Sequence, residues 1–447
     1  MSLIAGFARA DVTPPVGIVM AGYGSRTEGS IGIRDELAAT ALYLKVGEVE
    51  AAVVALDLIM ARSEEIAAIR ECCRERSGIP GEHILLSFSH THAGPQMGPG
   101  EDDPLRAAYA ECLRRQIAGA VSEAKLRAVP AVIGHGAKPA RIAGNRRERT
   151  EQGTILGYNP EGPTPNQTDV LRFDNAETGA TIGVLFQYAC HGTTMGGENL
   201  WLSAEYQGVA RRLVEQLLPG VRSMFVGGCG ADQNPYPRGT FDWVDRHGNV
   251  LGAAVYQACL DIRETQPVET LRVHTGSCAL PLQRMPPLED CRAELRAAEE
   301  AAEKARREHA EREGVPYDEG LPLSWELGRR LRSARERLEA CERGETELTL
   351  PVELQVIAIG DIALIGLPAE VFFRIGRQIA QRSPFWLTLP IDYANGAIGY
   401  IPTQDEVAFG GYEIETARAR HCGLALRDDA DSVLVDAAVE ALEAAKG

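Results

Sequence analysis

Short apolar runs of strand length alternate along this chain with longer stretches of helical spacing, and few folds satisfy that pattern. Apolar residues over 41–46 and 51–56 flank Gly47 and read as two strands joined by a tight turn. The spacing then predicts a helix over 63–76, with Ser63 as N-cap and Glu64 and Glu65 at the positive end of its dipole. Further helices are predicted over 105–127, 205–218, 250–264 and 431–446. Strands are predicted over 131–137, 170–173, 181–190, 222–226, 352–359, 362–366 and 386–391. Leu367-Pro368-Ala369-Glu370 reads as the opening of a helix that runs to Arg382. This alternation argues for an α/β fold, a mixed β-sheet flanked by helices.

Two stretches depart from the pattern. Residues 144–168 are rich in Gly, Asn and Pro with little periodicity, and read as a long functional loop. Residues 288–343 are rich in Ala, Glu and Arg at helical spacing, broken at Gly314 and Pro316, and read as an inserted helical hairpin. A solvated charged arm of this kind fits a scaffold or dimer role, which leaves a homo-oligomer open. No linker or internal repeat interrupts the chain, so residues 1–447 are expected to form one domain with that hairpin inside it.

The net charge of −17 argues against nucleic acid and anionic membranes as partners, because both need Lys and Arg to neutralise phosphate. No apolar stretch reaches membrane-spanning length, and the N-terminus lacks the pattern of a signal peptide. The ten cysteines show no CxxC spacing. Together these features imply reduced thiols and a cytoplasmic protein.

Chemistry concentrates at strand ends. The run 84–86 leads into Ser87-Phe88-Ser89-His90-Thr91-His92-Ala93-Gly94-Pro95. In a strand, positions i and i+2 share a face, so His90 and His92 would project together at its C-terminal end. Two imidazoles there suit metal binding or proton transfer; the pattern equally fits one surface and one core histidine. The strand over 181–190 runs straight into His191, and the strand over 222–226 into the Gly-rich turn 227–235. Glu370 and the loop from Asp392 to Tyr400 also follow strands. Sheets gather such ends on one rim. His90, His191 and Glu370 would then form the two-imidazole, one-carboxylate set of a catalytic Zn²⁺ site with a position left for water. Glu370 at a helix N-terminus also has a purely electrostatic reading.

The order of GFARADVTPPVGIVMAGYG, SHTHAGP, a strand ending in His-x-x-x-Met, a Gly-rich turn with Ala-Asp-x-x-Pro, and Leu-Pro-Ala-Glu resembles the neutral/alkaline, non-lysosomal ceramidase family across its catalytic N-terminal domain. The resemblance implies a zinc amidase that splits an N-acyl bond of the ceramide type. It implies His90, His191 and Glu370 as zinc ligands with Tyr400 as the fourth, His92 beside the metal or facing substrate, and Arg146 facing the acyl carbonyl or the oxyanion. One departure concerns the chemistry. The family turn carries a nucleophilic Ser where this chain has Asn234, and an amide cannot attack. Metal-bound hydroxide would have to attack directly, with Asn234 donating a hydrogen bond at most and Asp232 orienting a histidine, acting as a base or fixing its own turn. Neither the family's secretion signal nor its C-terminal β-sandwich is expected from the pattern of this sequence. The expectation is therefore a zinc-dependent hydrolase of a small or lipid-like N-acyl substrate. Alternatives are a zinc esterase, lactonase or deacetylase, and a non-catalytic metal- or ligand-binding homologue.

Overall fold

The structure, a computed structural model, describes residues 2–98, 103–415 and 422–447. A nine-stranded sheet forms its spine. Along the sheet the strands run Arg222–Gly227, Thr181–Tyr188, Gln167–Asn175, Val129–Pro139, Ile4–Asp11, Ala38–Val46, Val49–Leu56 and Ile84–Phe88, with the short Gln266–Pro267 paired to Val129–Pro139. The inner pairs are antiparallel. The outermost pair at each edge is parallel. A second sheet has four strands in the order Leu271–Pro281, Thr349–Ile359, Ile362–Gly366 and Leu387–Ile391.

Period-2 side-chain alternation sorts the central strands between two cores. Ala41 and Tyr43 face helices Ser63–Ser77 and Pro104–Leu126, packing with Ile66, Ile69, Leu113 and Ile117. Leu42 and Leu44 face the other way, onto Ile357, Leu364 and Ile391 of the four-stranded sheet. That sheet is covered on its far side by helices Phe373–Arg382 and Ala430–Lys446 through Ile375, Ile379, Leu434 and Ala438. The mixed α/β class is as expected, and the order of layers is helix, sheet, sheet, helix. Strands covered on both faces need unbroken apolar runs, which is why residues 51–56 and Ile362–Gly366 stand out in the sequence.

Several local expectations are corrected. The helix N-cap is Arg62, with no side-chain cap, and Ser63 is already helical. The helix expected at 250 begins at Phe241, where Thr240 accepts the Trp243 N–H. Residues expected to loop from 144 to 168 contain a β-hairpin, Ala143–Thr150 and Gly153–Asn159, joined to Gln233–Pro235 in a three-stranded ribbon. Glu370 does not open a helix; it lies in the two-residue strand Glu370–Val371, paired with Tyr400–Ile401. Strand Leu271–Pro281 had no expectation at all. All ten cysteines are free thiols. Among the described residues, no helix is long and apolar enough to cross a membrane.

The arm consists of helices Leu288–Glu313 and Trp325–Glu342. They meet through Ala298, Ala302, Leu331 and Ala334. It leaves the four-stranded sheet between two antiparallel neighbours whose ends, Pro281 and Thr349, are register partners. The chain on either side of the arm is thus already adjacent. Replacing residues 287–345 with a short Gly/Asn turn is expected to leave one cooperative urea transition, at a cost of no more than roughly 3 kcal/mol. Loss of cooperativity would show that the arm is integral to the core.

Candidate metal centre

The two edges of the nine-stranded sheet meet. An ideal Cβ at Gly227, on one edge, would lie 3.4 Å from the carbonyl oxygen of Phe88 on the other. Just beyond these strands, Thr91 and Gly192 form a parallel bridge, and the His92 N–H donates to Gly192 O at 2.9 Å. This bridge sets His90 and His92 beside His191. A Cβ at Gly192 would fall 2.8 Å from His90 O and 2.9 Å from the Thr91 Cα, so only glycine permits the approach.

His90 is not in the strand. It follows Phe88 by two residues with φ +57°, a left-handed conformation, so the expected period-2 projection does not produce its contact with His92. The rings converge all the same, with centroids 4.9 Å apart. The four-stranded sheet closes the site from the opposite side. Bridges Ser87–Ala394 and Gly228–Ile391 tie it to both edges of the large sheet. The loop after Ile391 carries Tyr393, also left-handed at φ +53°, whose ring stacks on His90 at 3.9 Å. Asp392 accepts the Val371 N–H with both oxygens, at 3.1 and 3.0 Å, and so fixes the backbone next to Glu370.

The protonation of this cluster follows from its hydrogen bonds. His90 Nδ1 donates to Ile59 O at 2.8 Å, and His191 Nδ1 donates to Gly230 O at 2.9 Å. A carbonyl can only accept, so both rings carry their proton on Nδ1 and a lone pair on Nε2. Burial drives the His90 imidazole down to about 3 despite the opposing Glu370 carboxylate. Burial and the Arg146 charge hold His191 well below its usual range, and burial with its two histidine neighbours does the same for His92. Both Nε2 atoms lie 3.5 Å from Glu370 Oε2. That oxygen is buried and has no hydrogen-bond partner. Two imidazole lone pairs thus face the carboxylate oxygen with no hydrogen between either ring and it. This is costly unless a cation lies between them. Bonds of about 2.0–2.1 Å to a tetrahedral zinc place its ligand atoms roughly 3.3–3.4 Å apart, close to what is seen. The Tyr400 hydroxyl, buried and shifted well above its usual range chiefly by burial, hydrogen-bonds the same carboxylate.

His92 completes a second grouping. Ligating atoms of His90, His92 and His191 all lie within 4.8 Å of one another, and neither ring nitrogen of His92 has a partner. Its ring packs against Tyr23 and sits where a Cβ at Gly22 would be, 2.6 Å away. Arg26 braces this loop by donating to His92 O and Ala21 O. Arg146 also faces the cluster. Its Nη1 lies 3.3 Å from His191 Nε2, and its Nη2 donates to the Tyr400 hydroxyl at 3.0 Å.

The Gly-rich turn is engaged differently. Asp232 accepts the Phe373 N–H at 2.9 Å and the Asn145 side chain at 3.1 Å, bonds that tie the turn to a helix start and to the ribbon. Asn234 accepts the Thr193 hydroxyl at 3.0 Å. Of the expected residues, His90, His92, His191, Glu370, Tyr400 and Arg146 come together. Asp232 and Asn234 lie alongside, bonded to neighbouring structure. Tyr393 was not singled out in the sequence, since a lone Tyr in a Gly-rich loop carries no periodic signal.

Fold and donor set together define a mixed α/β scaffold with a buried His/carboxylate centre able to accept a cation. No protein-family model matches the chain. Its fold is that of neutral ceramidase from Pseudomonas aeruginosa, with TM-score 0.71 at 19% identity over 99% of this chain and 75% of that one. A ceramidase complexed with C2 gives TM-score 0.73 at 18% identity, over 100% of this chain and 75% of the other.

The Thr91–Gly192 bridge makes a direct prediction. Gly192→Ala is expected to force the two histidine segments apart and to cost about 1–3 kcal/mol, measured by urea unfolding. An unchanged midpoint would show that the approach is slack.

Proposed function

We propose that this protein is a zinc-dependent hydrolase of N-acyl amides, cleaving R–CO–NH–R′ with water to a carboxylic acid and an amine. The observation that carries this reading is the convergence of the His90 and His191 Nε2 lone pairs on an unpartnered Glu370 oxygen. His90, His191 and Glu370 would hold the ion, with the Tyr400 hydroxyl as fourth donor. When bound, it supplies Lewis-acid polarisation and lowers the pKa of a coordinated water. Likeness to ceramidases supports the amide class and a lipid-like acyl chain.

The chain's own residues supply the rest. Arg146 keeps its charge and presents two N–H groups beside the site, as an oxyanion forming on the substrate carbonyl requires. His92, neutral and with unpartnered nitrogens, is placed to accept the proton released by the attacking water and to pass it to the departing amine. Asn234 holds Thr193 and shapes the wall. Because residue 234 cannot form an acyl-enzyme, water is the attacking group throughout. The same absence leaves an ester- or lactone-directed activity as the second reading, since those acyl groups need less activation.

Three measurements test the proposal. Protein purified without added metal is expected to carry close to one equivalent of zinc by elemental analysis; less than roughly a tenth would count heavily against it. The double variant His90→Ala/His191→Ala is expected to lose both the zinc and hydrolysis of N-acyl p-nitroanilides, and retained turnover would overturn the metal role. Parallel assay of p-nitrophenyl esters with the same acyl chains separates the amidase from the esterase, and zinc with neither activity would indicate a binding protein.

A further inference from the structure

Glu413 belongs to no motif and lies in the short helix Tyr412–Glu415, far in sequence from Arg146 and from the three histidines. Its side chain is 1% exposed. One oxygen accepts the Arg146 Nε–H at 2.8 Å, and the other accepts Arg147 Nη1 at 2.7 Å. Successive residues of a flat strand point to opposite faces, yet both arginines reach this one carboxylate. They do so where the pairing register of the ribbon shifts, between Asn145 and Arg147. Arg147 is anchored independently, by Nε to Glu406 at 2.6 Å and by Nη2 to Gly410 O at 2.8 Å. Glu413 is therefore fixed from one side and fixes Arg146 on the other.

We propose that Glu413 is the positioning residue for Arg146, holding the guanidinium by its Nε edge so that both Nη groups stay turned toward His191 and Tyr400. The inference rests on the reading of Arg146 as the group that faces the substrate carbonyl. A guanidinium is a planar fork, so gripping one edge sets the direction of the others. The carboxylate also offsets a positive charge that would otherwise be pushed away by a cation among the histidines, at a depth where water screens little. Burial alone would raise the Glu413 carboxyl, but Arg146 and Arg147 outweigh it and keep it below the usual range, so the anion persists at neutral pH. A purely structural ion pair would need neither the edge-on grip nor the two Nη groups turned toward His191 and Tyr400.

The test uses the full chain labelled with ¹⁵N-arginine, in which the Arg146 Nε–H signal is identified by its loss in Arg146→Lys. In the wild type this proton should exchange slowly, and in Glu413→Gln at least about tenfold faster, because a neutral amide no longer clamps it. Glu413→Asp keeps the charge and shortens the reach, and should shift exchange in the same direction by less. With an N-acyl p-nitroanilide, Arg146→Ala should lower kcat by on the order of 10²–10³. Glu413→Gln should reproduce most of that loss with KM little changed. The double variant Arg146→Ala/Glu413→Gln should be no slower than Arg146→Ala, since the second residue acts only through the first. Unchanged exchange in Glu413→Gln, or losses that multiply in the double variant, overturn the role of Glu413. A full rate in Arg146→Ala would instead overturn the role of Arg146 in the reaction, while the exchange measurement still reads the grip itself.

Discussion

The Nδ1–H groups of His90 and His191 each donate to a main-chain carbonyl, Ile59 and Gly230, and the character of the centre follows from those two bonds. They choose the tautomer, turn both Nε2 lone pairs inward, and hold the rings against rotation. Without them, each imidazole could present a proton to Glu370 and form an ordinary hydrogen bond. With them, the carboxylate oxygen meets only acceptors. The orienting carbonyls lie in segments next to the sheet edges, so ring orientation is inherited from the most rigid part of the fold.

The sheet makes this arrangement affordable. Curling brings its two parallel edges together, and the four-stranded sheet bridges across both. Left-handed backbone at His90 and Tyr393 is a local strain that surrounding structure must impose. Here the imposing contacts are the Thr91–Gly192 bridge on one side and the ring stack between the two residues on the other. Asp392, clamped on the Val371 N–H, transfers the same rigidity to Glu370.

How much of this could be read from residues alone depended on whether the signal was local. Strand segments buried on both faces, such as residues 51–56, announce themselves by unbroken apolar runs. The arm did so by composition. His90 and His191 were legible because each follows such a run, although the reason given for the meeting of His90 and His92 was wrong: a left-handed turn, not strand alternation, aims His90. The hairpin Ala143–Asn159 was illegible because its polar side chains, Arg147 and Arg149 among them, find partners in Glu406 and Glu413, more than two hundred positions away. Glu370 was misplaced on a helix because a two-residue strand defined by Tyr400 leaves no periodicity to detect. For Glu413 there was no sequence signal at all, since its role exists only once Arg146 is in place.

The pairing of Glu370 with Tyr400 also bears on how the molecule matures. The first imidazole of the cluster is made at position 90, but the strand that presents the carboxylate has no partner until position 400 has been synthesised. A chain emerging from the ribosome can therefore build most of its large sheet while the histidines still lack their acidic neighbour. The complete donor set appears only at the end of assembly, so ion uptake would report completion of folding and not its beginning.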